Sequence, residues 1–226
     1  MKSEDLFEQF CTSRNLPLFR CVNPSVPTTE KRSKSADYIL LAQGNPIVVE
    51  VKELNPNPQE KAFVQRLSDQ GEQAGFTSEP GKRLRKTIDD AMPQLRETSL
   101  GLIPTLLVVF DNSGLPLTRL EPYEILTGMY GLEQVVFQVP KDPHEKPGVI
   151  NHKFGPNQKV SPAHNTTLSA VAVLYQLRDS NQALELYHND YAVHGIDPQW
   201  LRVNNCRQWN RESSNRGDSF REWMKL

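Results

Sequence analysis

Cysteine is scarce in this chain: Cys11, Cys21 and Cys206 are three in 226 residues, odd in number and far apart. Neither a disulfide framework nor a zinc site with its short ligand spacings fits such a set. Reduced thiols of this kind point to a cytoplasmic protein. Long apolar runs are missing too. No stretch approaches the roughly 20 residues that span a bilayer, and the first residues lack the apolar region of a secretory signal, so no membrane partner is expected. Nor is there an excess of charge of one sign, with 26 Lys and Arg against 27 Asp and Glu. That balance argues against broad electrostatic coating of nucleic acid and leaves only local patches to hold it. Internal repeats, a P-loop, a Gly-rich dinucleotide fingerprint and a nucleophile elbow are all absent.

What the chain does have is concentrated between Ala36 and Lys52. Two apolar, β-rich runs flank Gln43-Gly44-Asn45-Pro46, which is hairpin punctuation. Strand side chains alternate between faces, so Glu50 and Lys52 share one side while Val49 and Val51 take the other. Asp37 opens the partner strand, where a hairpin brings it towards Glu50. Two carboxylates and an ammonium then converge on an otherwise apolar sheet, where isolated charges cost several kcal/mol unless paired or metal-bound. Carboxylate oxygens suit Mg²⁺ or Mn²⁺, ions that keep waters and accept phosphate oxygens. Lys52 is placed to orient a water or to neutralise developing negative charge.

Asp37 followed by Glu50-Val51-Lys52 resembles the PD-(D/E)xK nuclease superfamily, with Ala36 in place of the proline. The resemblance covers roughly the first half of the chain. It implies a restriction-endonuclease-like fold, an α/β domain with a mixed central β-sheet flanked by helices. It also implies a metal-dependent phosphodiester hydrolase, acting most readily on DNA, with Asp37 and Glu50 as metal ligands and Lys52 beside the nucleophilic water. A homodimer is compatible with that implication. The rival expectation is a catalytically silent nuclease fold that binds nucleic acid or protein; another is a structural ion-pair cluster in an unrelated α/β protein.

In the superfamily a helix usually precedes the motif and another follows it. Residues 3–14 read as the first, with Ser3 as N-cap and Leu6, Phe7, Phe10 and Cys11 as its apolar stripe. The resemblance makes Glu8, and after it Glu4, a candidate further metal ligand; a solvated helix flank is the alternative. The second helix covers residues 81–92, with Leu84, Ile88, Ala91 and Leu95 at helical spacing and Pro93 kinking or ending it. Lys82, Arg83, Arg85 and Lys86 crowd its first turns, where the helix dipole disfavours cations. Either a phosphate backbone offsets that charge, making these four a nucleic-acid contact, or they form a solvated face.

Between motif and helix, residues 55–80 are polar and Pro-broken, with a short helix at 59–68 and the makings of a lid. Residues 104–110 suit a central strand buried on both faces, ending in a turn at Asp111. A helix at 122–130, a strand at 135–139, an irregular stretch at 140–167 with one small hairpin around Phe154-Gly155-Pro156, and strands at 169–177 and 183–187 complete an α/β plan. His144, His152 and His164, in or near the irregular stretch, match no metal motif. Residues 187–192 read as a capped strand end. The expected organisation is one α/β nuclease-like domain at 1–199 and a basic, aromatic appendage at 200–226 packed on the same domain. There Arg202, Arg207, Arg211, Arg216, Arg221 and Lys225 interleave with Trp200, Trp209, Phe220 and Trp223. These either hold a nucleic-acid backbone or dock a terminal helix on the core.

Overall fold

In the computed structural model, which describes residues 2–21, 35–70, 79–112, 120–142, 144–146, 148–177, 181–211 and 223–225, alternation and turn chemistry resolve into fourteen elements. In chain order these are α1 (Ser3–Thr12), β1 (Leu18–Arg20), β2 (Tyr38–Ala42), β3 (Asn45–Leu54), α2 (Pro58–Gln70), α3 (Lys82–Ser99) and β4 (Thr105–Asp111). They continue with α4 (Pro122–Tyr130), β5 (Glu133–Gln138), β6 (Gly148–Phe154), β7 (Leu168–Gln176), β8 (Gln182–His188), β9 (Cys206–Arg211) and β10 (Trp223–Lys225). The class is mixed α/β. Eight strands form one sheet in the order β1-β2-β3-β4-β7-β8-β9-β10, while β5 and β6 pair apart from it. The pairs β3–β4, β4–β7 and β8–β9 are parallel and the others antiparallel.

The continuous apolar run at 104–110 becomes β4, in the interior of the sheet between two parallel neighbours. Leu106, Leu107, Val108 and Val109 are all fully buried, as a strand covered on both faces requires. On one face Leu6, Phe7, Phe10 and Cys11 of α1 pack with Ile47, Val49, Val51, Leu106 and Val108. On the other, Leu84, Ile88, Ala91, Met92 and Leu95 of α3 join α4 and Val48, Leu54, Leu107 and Val109. Each fully buried aliphatic side chain contributes about 1.5–3 kcal/mol. Where α3 begins, Gly81 sits at φ +69°, and a Cβ there would lie 2.3 Å from the Gly128 nitrogen of α4. Glycine is required both for that backbone and for that approach.

Several boundaries differ from the sequence expectation. Lys2 holds the N-cap position of α1, and Ser3 is buried inside the helix. Pro93 does not end α3, which runs on to Ser99. Burial of Gln94, Leu95 and Ser99 on the sheet outweighs the one backbone donor lost at an exposed proline. The stretch 140–167 is not wholly irregular, because β6 lies within it and pairs antiparallel with β5. Residues 200–211 pack on the same domain: β9 is a parallel neighbour of β8 and Leu201 is fully buried. Residues 223–225 form a strand against β9 instead of belonging to a docked helix. Among the described residues no helix is long and apolar enough to cross a membrane.

Candidate functional site

Gln43 and Gly44 take φ of 50° and 82°, the two left-handed residues of a two-residue hairpin turn whose twist suits the flanking strands. That turn pairs Ala42 with Asn45 and Tyr38 with Val49. One step further along the same register, Asp37 stands opposite Glu50. On the outer side Arg20 pairs with Tyr38, and the Cys21 N–H donates to the Asp37 carbonyl at 2.9 Å, so Cys21 stands opposite Asp37. Directly opposed residues share a face. Cys21, Asp37 and Glu50 therefore form a row, the first two one residue beyond the ends of β1 and β2 and the third within β3. Val48 and Leu54 place that face of β3 on the α3 side, and Val49 and Val51 point towards α1.

Glu50 is only 2 % exposed. Its Oε1 accepts from the Lys52 ammonium, while Oε2 is buried with no hydrogen-bond partner among the described residues. Desolvation pushes its carboxyl up to about 7, with the Lys52 ammonium opposing and the Asp37 charge adding to the rise. Asp37 is half-buried, and its Oδ2 accepts from the Val51 N–H at 2.8 Å. The Lys52 side chain keeps 28 % of its surface exposed. Burial raises the Cys21 thiol, and the Asp37 and Glu50 charges add to it.

An orphaned, buried carboxylate oxygen beside a second carboxylate fits a hard divalent cation. Among the described residues no three His, Cys, Asp or Glu gather closely enough to hold an ion. The protein would supply the two carboxylates and leave the remaining positions to water and substrate, as Mg²⁺ commonly accepts.

Glu8 is engaged by Arg20 and Tyr38. Its Oε1 accepts from Arg20 Nε at 2.8 Å, Arg20 Nη2 at 2.6 Å and the Tyr38 hydroxyl at 2.9 Å. Glu4, one turn earlier, lines a pocket of about 170 Å³ with Arg20, Cys21, Ser35, Ala36, Asp37 and Tyr38. Of the two helix carboxylates, Glu4 is thus the one that shares a cavity with Asp37.

The four basic residues of α3 do not form one basic face. Arg85 is buried, paired with Glu79 and donating to the Pro80 and Thr127 carbonyls. Arg83 pairs with Glu60 at 3.2 Å and donates to the Asn55 carbonyl at 2.9 Å. Lys86 pairs with Asp90 one turn on, and Lys82 is exposed. Carboxylates of the same chain thus pair with Arg83, Arg85 and Lys86. Part of the late basic and aromatic set is paired within the fold as well. Arg207 pairs with Glu185, and Trp209 stacks on Tyr187 with centroids 6.2 Å apart. Arg216, Phe220, Arg221 and the Trp223 side chain lie outside the described residues.

The sequence gives no hint of how Arg211 is held. Its guanidinium is 4.1 Å from the Tyr130 ring centroid and also faces Phe154 and Tyr191. Its Nε donates to Asp190 at 2.7 Å. Nothing in the sequence marks Arg20, or the place of Cys21 opposite Asp37, because β1 is only three residues long, too short for periodicity to declare it. Searches against protein-family models, curated proteins and solved structures return no match to this chain.

Proposed function

We propose that this chain is a divalent-metal-dependent nuclease of the PD-(D/E)xK type with a restriction-endonuclease-like fold, hydrolysing phosphodiester bonds, most readily in DNA. The observation that carries the proposal is the buried Glu50, whose Oε2 lacks a partner among the described residues and which stands opposite Asp37 and beside Lys52. A carboxylate pushed up to about 7 by its surroundings is a poor structural choice, because it costs stability at neutral pH. Helices α1 and α3, before and after the hairpin, accord with the order of the superfamily.

Asp37 and Glu50 would hold Mg²⁺ or Mn²⁺, which when bound supplies charge stabilisation at a phosphate and acidifies water. Asp37 is oriented by the Val51 N–H, so its second oxygen is presented in a fixed direction. Glu50 tethers Lys52, which keeps the ammonium over the row while its exposed portion meets solvent and substrate. A positive charge so held favours negative charge developing on an attacking oxygen or on the phosphate. Apolar neighbours on both sides of β3 lower the local dielectric around Glu50 and strengthen these interactions.

The test is incubation of the wild type, Glu50→Gln and Lys52→Met with supercoiled plasmid, linear duplex and single strands, each in Mg²⁺, Mn²⁺ or EDTA. The proposal expects cleavage by the wild type with metal only, and at least a hundredfold loss in both variants, in line with the usual cost of removing a charge-stabilising group. Titrating Mg²⁺ by calorimetry should give heat for the wild type and Lys52→Met but not for Glu50→Gln. Metal heat without cleavage of any substrate would favour a silent nuclease fold that binds without chemistry. Absence of both would refute the metal site.

A further inference from the structure

We propose that Arg20 seats a backbone phosphate of the polynucleotide in the pocket beside Asp37, with Glu8 and Tyr38 as its positioning partners. The substrate class rests on the nuclease function proposed above; the binding residue and its support are new to it. Among the described residues lining that pocket, Glu4 and Asp37 bring negative charge and Arg20 is the only cation. A phosphate entering there meets repulsion from two carboxylates. The guanidinium offsets it on the pocket's own wall, and its planar fork matches phosphate oxygens.

Arg20 is also set in place before any ligand arrives. Two of its N–H groups converge on Glu8 Oε1, which the Tyr38 hydroxyl also reaches. The guanidinium carbon lies 5.6 Å from the Tyr38 ring centroid. A guanidinium has five N–H donors, so among the described residues the two bonds to Glu8 leave three for a phosphate. Arg20 is 66 % exposed on an edge strand, so its ion pair with Glu8 adds little to stability. Converging three donors on one carboxylate oxygen does little for the fold and a great deal for aim. The pocket, at about 170 Å³, has the room of roughly six liquid waters, enough for a phosphate group. It opens where β1 ends and β2 begins, beside the row that carries Asp37 and Glu50.

The experiment measures binding of a short fluorescein-labelled DNA duplex and of its single strand by anisotropy across a series of salt concentrations. Arg20→Ala is expected to lower affinity roughly tenfold and to reduce the slope of log K against log salt by about one, as loss of one phosphate contact does. Arg20→Lys should restore the slope but only part of the affinity, because a point charge lacks the fork. Glu8→Gln should keep the slope and weaken binding several-fold. An unchanged slope in Arg20→Ala overturns the proposal, as does failure of the wild type to bind either oligonucleotide. If Arg20→Ala does not fold, a full-affinity Arg20→Lys overturns it equally. Mg²⁺ titrated alone reports separately on the metal site: absence of heat in the wild type sinks the nuclease function, while the salt slope still decides on Arg20.

Discussion

Replacing Glu50 by Gln should stabilise the metal-free protein, and by an amount that depends on pH. Glu50 ionises at about 7 in the fold against an ordinary value of 4.5. Between those values the folded state binds more protons than the unfolded chain, so stability falls as pH rises. Glu50 imposes no such cost below pH 4.5 and the full cost above pH 7. At about 1.4 kcal/mol per unit, the ionised form costs about 3 kcal/mol at pH 8. Glutamine keeps the shape without the charge, so Glu50→Gln should melt about 6–12 °C above the wild type at pH 8 in EDTA, given about 2–4 °C per kcal/mol in a chain of this size. At pH 4.5 the two should melt together. Saturating Mg²⁺ at pH 8 should raise the wild type alone and narrow the gap. Scanning calorimetry of both proteins from pH 4.5 to 8, with and without Mg²⁺, is the assay. A gap that does not change with pH would refute the reasoning, as would a wild type that is the more stable protein at pH 8 in EDTA.

Two further perturbations test the packing that supports the site. Gly81→Ala places a Cβ 2.3 Å from the Gly128 nitrogen at a φ of +69°. Strain and overpacking together should cost about 2–5 kcal/mol, read by urea denaturation. Arg211→Met leaves Asp190 without its charged partner and removes the cation from three aromatic rings. Because Asp190 keeps 30 % of its side chain exposed, the loss should be about 2–3 kcal/mol, below the usual cost of breaking a buried pair. A melting temperature within a degree of wild type would refute the account of either residue.

The hairpin was legible because its signals are local. Gln43-Gly44 names the turn, the turn names the register, and the register puts Asp37 opposite Glu50. The strand at 104–110 was legible for a similar reason, since an unbroken apolar run has few uses other than an interior strand. What escaped depends on partners distant in the chain. Arg83 reads as a free cation until Glu60, 23 residues earlier, folds against it. Arg85 reads as a surface charge until α4 brings the Thr127 carbonyl to it. Glu8 and Glu4 differ by one helical turn, and which of them shares a cavity with Asp37 is decided by where α1 lies on the sheet. Pro93 lowers the intrinsic propensity of α3, and only the burial of Leu95 explains why the helix continues. β6 and β10 lack a strong alternating pattern, and pairing with a neighbour makes them strands.

The row of Cys21, Asp37 and Glu50 is drawn from three consecutive antiparallel strands, so the chain can bring its carboxylates together without any long-range closure. Hairpins of this kind form in about 1–10 μs. Burial of Glu50 follows a different schedule, because its parallel neighbour Leu107 arrives only after residues 55–104 have been looped across. Proximity is thus established early and dehydration late. The carboxylate gives up its water in the slow, topology-limited stage of folding, so its penalty falls on the step where β4 docks. A divalent cation present during that stage would meet two carboxylates already gathered and still hydrated, and could be enclosed as the sheet is completed.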